Sequence, residues 1–275
     1  MRIRIQHRRV TIFEEPVSAL IQVVRRTPRN YDGQHVRHWR IDLDQDVQML
    51  PTEDAFGNLV HNISYTRPLD DLGMTIQGEI ETREFHGVVQ GGREQFPVGL
   101  YLRETPLTQN DSAIRKFAEG VGGKGLLDTM HKLIAALHCE MDVEAKIVNL
   151  PAPTIFAAKR GASSDIAHVF IAATRSLGVP ARFIAGYALL GPEDQSWSAA
   201  PRCWAEAFVE GIGWVGFDSV DGISPSEAHI RVSMALDYLG AAPLRTTAHG
   251  TVEERLEVTV LADHADHVGF RQQQQ

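Results

Sequence analysis

The densest run of metal-binding residue types lies near the C-terminus, where Asp263, His264, Asp266 and His267 follow one another closely. Imidazole and carboxylate groups are ligands for transition metals. Because the run is polar and close to the end of the chain, we interpret it as a solvated tail and predict neither a metal nor a cofactor. The sequence also has no phosphate-binding loop, no dinucleotide-binding glycine motif and no zinc-protease helix motif.

The two cysteines, Cys139 and Cys203, are too few for a disulfide framework in a chain of 275 residues. Reduced thiols are the normal state in the cytoplasm. The basic, alternating N-terminus lacks the apolar core of a signal peptide, and no stretch approaches the roughly 18 apolar residues of a membrane helix. The sequence therefore predicts a cytoplasmic protein without a membrane anchor.

The balance of charges argues against two classes of partner. Lys and Arg number 27 against 35 Asp and Glu, so the formal net charge is −8. Such a chain has no overall attraction to phosphate backbones or anionic lipid, and we expect no nucleic acid and no membrane as partners. The apolar fraction of 43% and the charged fraction of 23% are typical of a globular protein.

Two ordered blocks in the second half carry a family resemblance. The first contains GASSDIAH (161–168), RSLGVPAR (175–182) and Gly186-Tyr187, and the second runs from WAEAF (204–208) to GWVGFD (213–218). They resemble the nucleophile helix and the His and Asp strands of bacterial transglutaminase-like proteins. The opening RIRIQH (2–7) and the segment LDY (236–238) are similar to members with an added N-terminal β-domain.

The resemblance implies papain-like chemistry with a Cys, His and Asp triad. The Cys lies at a helix N-terminus, which lowers its pKa, while the His acts as base and then acid and the Asp orients it. In this chain the three positions fall on Ser163, Arg202 and Asp218. A serine needs a base to remove its proton, and a guanidinium cannot act as that base. We therefore predict that the ordinary reaction is lost.

Other residues do not obviously replace the missing groups. His168 lies about 140° around the predicted helix from Ser163, which favours a structural histidine. Cys203 neighbours Arg202 on a strand, so we expect it to point to the opposite face, away from Ser163. Cys139 has no base nearby. For Arg202, two roles stay open: a static ion pair with Asp218, or an anion site formed with Ser163 and the helix N-terminus.

The elements that must position these residues follow two hydrophobic periods. Residues 1–105 alternate with period two, which predicts an antiparallel β-sandwich. After residue 106, helical spacing followed by short apolar runs predicts a helix packed on an antiparallel sheet, so the fold class is α+β. We expect an N-terminal β-domain over 1–105, a transglutaminase-like domain over 106–270 and a frayed tail over 271–275. Residues 226–270 either add strands to the second domain or run back across the first.

Two hypotheses about function follow. In the first, which we favour, the chain is an inactive transglutaminase-like protein that binds a peptide-like ligand or a partner protein. The resemblance suggests that this partner is an active relative or an ATP-grasp-type ligase homologue. In the second, the chain is an active amide or acyl hydrolase, or a peptidase, that uses Ser163 or another nucleophile. An imidazole or carboxylate within about 3.2 Å of the Ser163 hydroxyl would favour the second.

Overall fold

A computed structural model describes residues 1–193, 196–249 and 254–264. Its strands are β1 (Arg2–Val17), β2 (Ala19–Thr27), β3 (Gln34–Leu43), β4 (Met49–Glu53), β5 (Leu59–Tyr65), β6 (Leu69–Thr82), β7 (Val88–Val89), β8 (Asp142–Val143), β9 (Arg160–Gly161), β10 (Ala181–Glu193), β11 (Ser196–Val209), β12 (Gly213–Phe217), β13 (His229–Ala235), β14 (Leu244–His249) and β15 (Glu254–His264). Its helices are α1 (Ser112–Val121), α2 (Leu126–Glu140), α3 (Ala152–Ala158), α4 (Ser163–Ser176), α5 (Tyr238–Ala241) and a 3₁₀ helix (Val98–Leu102). None of these helices has both the length and the apolar character needed to cross a membrane.

The N-terminal region forms two four-stranded sheets, as its period-two pattern predicts. One sheet has the order β15-β1-β6-β3 and the other the order β14-β2-β5-β4. Buried and less buried residues alternate along β2, as expected of a strand with one face in a core. The two sheets share an apolar cluster of Val24, Ile41, Ile63, Met74 and Ile76. The predicted β-sandwich is therefore confirmed.

The last two described strands belong to this sandwich. β14 pairs with β2, and β15 pairs with β1 from Ile3 to Phe13. The interval 106–270 predicted for the second domain therefore needs correction, because the chain runs back across the first domain. A long strand such as β1 has two edges to pair, and β6 occupies only one of them. Residues 265–275, with Asp266, His267 and the expected frayed tail, lie outside the described residues.

The second region is a helical layer packed on a five-stranded sheet of order β13-β10-β11-β12-β7. The central helix α4 begins at Ser163, and Phe170 in its middle stacks on Phe217 of β12. Gly161 lets the backbone approach the Asp165 side chain just before the helix. A Cβ at position 161 would lie 2.9 Å from the Cβ of Asp165. The helix on an antiparallel sheet matches the predicted α+β fold class.

A second apolar interface joins the sandwich to this sheet. It combines residues of β1 and β6 with residues of β10, β11 and β13: Ile3, Ile5, Ile80, Tyr187, Ala199, Ile230 and Val232. These side chains cover the sheet face that does not carry α4. The sheet therefore has α4 on one face and the β-sandwich on the other, which is the layered arrangement that buries both faces.

Candidate functional site

Ser163 is the first residue of α4, and the turn before it is held by a carboxylate. The Asp165 Oδ2 accepts the N–H of Ala162 at 3.1 Å and that of Val148 at 3.4 Å. Burial raises the pKa of Asp165, although these N–H groups work in the opposite direction. Part of the positive end of the helix is thus already engaged by a protein carboxylate.

The Ser163 hydroxyl contacts Cys203 of the neighbouring strand. Its Oγ accepts the backbone N–H of Cys203 at 3.2 Å. Burial raises the pKa of the Cys203 thiol to about 12. The thiol is therefore protonated at neutral pH and is a poor nucleophile.

The expectation that Cys203 points away from Ser163 was wrong. In β11, Cys203 packs with α4, whereas its neighbour Trp204 packs with Ile184 and Met234 on the other face. Alternation correctly predicted that adjacent residues take opposite faces. It contained no information about which of the two faces α4 covers.

Arg202 and Asp218 form the predicted ion pair. The Arg202 Nη1 lies 3.6 Å from the Asp218 Oδ2, and Arg202 Nη2 lies 3.3 Å from a carboxylate oxygen of Asp221. Arg202 and Asp218 are both buried. The Asp218 Oδ1 accepts the N–H of Val220 at 2.9 Å. The Asp218 carboxylate is therefore paired with a guanidinium.

The sequence analysis missed His229 of β13. Its Nε2 lies 3.3 Å from the Asp218 Oδ2, and its Nδ1 accepts the N–H of Ser226 at 3.2 Å. Because Nδ1 accepts, the proton of the neutral ring is on Nε2 and is donated to Asp218. The sequence around His229 does not predict this contact, because β13 and Asp218 are brought together only by the tertiary fold.

Asp218, Asp221 and His229 have ligand atoms within 4.8 Å of one another, a spacing at which a metal ion can be held. The chemistry of this group does not fit a cation. Arg202 pairs with both carboxylates, and the His229 ring already directs its Nε2 proton at Asp218. A metal would have to displace a guanidinium and a proton from the same cluster.

His168 has the structural role that its position on α4 predicts. It is fully buried, and its Nε2 accepts the N–H of Tyr238 at 3.0 Å. Burial lowers its pKa to about 3, with Arg175 lowering it further and Asp237 opposing the shift. The ring is therefore neutral in the folded protein and does not contact the Ser163 hydroxyl.

The buried state of His168 predicts a pH dependence of stability. Its pKa is about 3 in the folded protein and about 6.5 when unfolded, so between these values the unfolded chain binds the extra proton. Stability is lost as pH falls below 6.5, by roughly 2 kcal/mol at pH 5. Urea unfolding at pH 7 and pH 5 measures this loss. His168→Gln, which keeps an acceptor for Tyr238, should show a smaller loss, whereas a His86→Gln control at an exposed site should behave like the wild type. An equal loss in His168→Gln and the wild type would contradict the prediction.

Apolar side chains stay exposed beside the N-terminus of α4. They belong to the segment before α3, whose Val148 N–H reaches Asp165. The exposed residues of this segment, here named the apolar rim, are Val143, Ile147, Val148 and Leu150. Adjacent exposed apolar residues are typical of surfaces that bind another molecule.

Comparison with known families covers both regions of the chain. Residues 3–81 match the bacterial transglutaminase-like N-terminal region. Residues 111–219 match the transglutaminase-like superfamily, and the two matches together span more than half of the chain. The chain belongs to the bacterial transglutaminase-like proteins. Ser163, Arg202 and Asp218 of this transglutaminase-like protein all fall within the second matched region.

Relatives of this transglutaminase-like protein come from several bacteria. It is 23% identical to an uncharacterized protein of Mycobacterium leprae, over 94% of this chain and 97% of that protein. It is 27% identical to an uncharacterized protein of Haemophilus influenzae, over 70% of this chain and 62% of that protein. A solved structure from Cytophaga hutchinsonii, provisionally classed as a cysteine protease, matches with a TM-score of 0.75 and 16% identity, over 97% of this chain and 92% of that one. This last likeness shows the fold.

Proposed function

We propose that this transglutaminase-like protein is catalytically inactive and acts by binding a peptide-like ligand or a partner protein. The observation that carries the proposal is the ion pair between Arg202 and Asp218, at 3.6 Å. The resemblance puts the catalytic histidine at position 202, and a guanidinium does not release its proton near neutral pH. The pair therefore holds the two groups in a static contact.

The surroundings of Ser163 support the same proposal. Its hydroxyl accepts a backbone N–H from Cys203, and among the described residues no imidazole or carboxylate hydrogen-bonds to it. Without a base, a serine hydroxyl stays protonated and is a weak nucleophile. In this proposal the protein keeps the helix and the aspartate of its family but has no base to remove the proton of the Ser163 hydroxyl.

The contact between His229 and Asp218 is the observation that favours a second candidate, an active amide or acyl hydrolase or peptidase. A histidine beside an aspartate supplies the base and the orienting carboxylate of a catalytic triad. In an active triad, however, the histidine keeps one nitrogen free to take the proton of the nucleophile. His229 has both nitrogens engaged, by Ser226 and Asp218. The candidate nucleophiles Ser163 and Cys203 therefore gain no base from it.

The proposed ligand or partner binds at the apolar rim and the N-terminus of α4. The rim offers apolar contacts, and an extended peptide or the loop of a protein has side chains that match them. We propose an active relative or an ATP-grasp-type ligase homologue as the partner protein, in the cytoplasm. The net charge of −8 argues against nucleic acid and lipid surfaces as alternatives.

An activity assay tests the first half of the proposal. Wild type and Ser163→Ala are incubated with a panel of peptide amides, and the released amine is measured. We expect equal background rates for both proteins. A wild-type rate well above that of Ser163→Ala would instead support the hydrolase.

A binding experiment with matched variants tests the second half. Val148 of the apolar rim is 39% exposed, and Ile21 of β2, in the N-terminal sandwich, is 53% exposed. Tagged wild type, Val148→Asp and Ile21→Asp are purified from the native cell, and bound proteins are identified by mass spectrometry. We expect a partner that is retained by wild type and Ile21→Asp and lost by Val148→Asp. Equal retention by all three proteins would exclude the rim as the binding surface.

A further inference from the structure

A cavity lies on the sheet face opposite α4, between the sandwich and the sheet. Its volume is about 50 Å³. Six charged side chains line it: Arg29, Glu53, Arg93, Glu94, Arg182 and Arg231. A cavity between two domains with convergent charged groups is a common place for a small ligand. The proposed function at Ser163 does not use it.

Arg182 is the central group of this cavity. It is 1% exposed, and its guanidinium lies 3.9 Å from the centre of the Trp214 ring. Its Nε donates to Glu206 at 2.6 Å, and its Nη1 lies 2.9 Å from both carboxylate oxygens of Glu94. A buried guanidinium with this planar face is a strong carboxylate-binding group.

The charges of Arg182 and Arg231 call for a second carboxylate in addition to that of Glu206. Glu206 is fully buried and also binds Arg231, at 2.7 and 3.2 Å. One fixed carboxylate thus serves two guanidinium groups, the buried Arg182 and the partly buried Arg231. The second negative charge is that of Glu94, and without it the pair of arginines would carry an uncompensated positive charge.

Glu94 differs from Glu206 in how it is held. It lies in the irregular segment between β7 and the 3₁₀ helix, and its side chain is 39% exposed. Gly91, with a φ of 72°, and Gly92 precede it, and glycines permit a change of backbone direction at low cost. The next residue, Gln95, adds one side-chain contact, to Glu53 at 2.8 Å.

We propose that the Arg182 cavity is a carboxylate-binding site and that Glu94 is its intramolecular occupant. A ligand carboxylate takes the place of the Glu94 carboxylate on Arg182, and the segment 90–97 moves outward. The ligand class is a small monocarboxylate, either a free organic acid or the C-terminal carboxylate of a peptide. A single negative charge replaces the charge of Glu94 one for one. A cavity of about 50 Å³ accommodates the carboxylate group itself while the rest of the ligand extends outward.

Calorimetry with acetate tests the proposal. Sodium acetate is titrated into wild type, Glu94→Ala and a control, Glu84→Ala, which removes a glutamate that is 42% exposed on the same stretch of chain. We expect at least tenfold tighter acetate binding in Glu94→Ala, because the competing carboxylate is removed, and no change in Glu84→Ala. Acetamide and sodium chloride should give no heat of binding. Acetyl-glycylglycine and its amide, titrated into Glu94→Ala, then distinguish a peptide terminus from a free acid.

A second measurement uses the wild type and does not depend on any variant folding. Arg93 lies beside Glu94, is exposed and also lines the cavity, so release of Glu94 should increase tryptic cleavage after Arg93. We expect cleavage to accelerate with acetate and not with acetamide. Equal acetate affinity in wild type, Glu84→Ala and Glu94→Ala, or acetate-independent cleavage after Arg93, would overturn the proposal.

Discussion

Turnover of peptide amides is expected to rise when Ser163→Cys and Arg202→His are combined, and to stay near background when Ser163→Cys is made alone. The thiol at the start of α4 supplies a nucleophile whose pKa the helix lowers. Acyl transfer also requires a proton for the leaving amine, which the Arg202 guanidinium does not deliver. An imidazole at position 202 beside Asp218 can deliver it, and general acid–base catalysis contributes about 10²–10⁴-fold.

Positions 163 and 202 are close to each other through the backbone of β11. The Ser163 Oγ lies 3.2 Å from the backbone nitrogen of Cys203, the residue next to 202. Because Cys203 is in direct contact with position 163, the assay is run with a reductant to prevent a disulfide between the two. Ser163→Ala combined with Arg202→His is the control and should be inactive. If Ser163→Cys alone matched the double variant, the assignment of the missing base to position 202 would fail.

Glu206→Gln is expected to lower the free energy of unfolding by about 3–5 kcal/mol, the usual loss when one member of a buried ion pair is removed. Glu206 is fully buried between Arg182, at 2.6 Å, and Arg231, at 2.7 Å. Without its charge, the buried Arg182 keeps only the half-exposed Glu94, and Arg231 loses the carboxylate that it binds. Urea unfolding at pH 7 measures the change, and Glu84→Gln should stay within about 0.5 kcal/mol of wild type.

The stability that Glu206 contributes should decrease at low pH. Burial alone would raise the pKa of Glu206, but the Arg231 and Arg182 charges outweigh it, and the pKa is lowered. Its contribution is therefore present above the unfolded pKa, about 4.3, and is lost as pH falls through the lower folded value. The difference between wild type and Glu206→Gln should be constant from pH 7 to pH 5 and shrink below about pH 4. A difference that is already small at pH 7 would mean that Glu94 alone neutralises both arginines.

Several features of this transglutaminase-like protein follow from local sequence patterns. Period-two alternation before residue 106 predicted the strands of the sandwich, because side chains alternate between the faces of a strand over any few residues. Helical spacing after residue 106 predicted a helix for the same local reason, and the family resemblance placed the start of α4 at Ser163. The ion pair of Arg202 and Asp218 followed from the family resemblance, which places both residues on adjacent strands.

Other features depend on which elements pack together, and only the tertiary structure decided them. Alternation in β11 separates Cys203 from Trp204, but the packing of α4 determines which of them meets Ser163. His229 contacts Asp218, and β15 pairs with β1. The hydrophobic pattern of each of these elements does not predict which other element it contacts. Glu94 and Arg182 are also far apart in the chain. Local periodicity specifies the faces of a strand or helix, whereas the choice of partner depends on burying those faces across the whole fold.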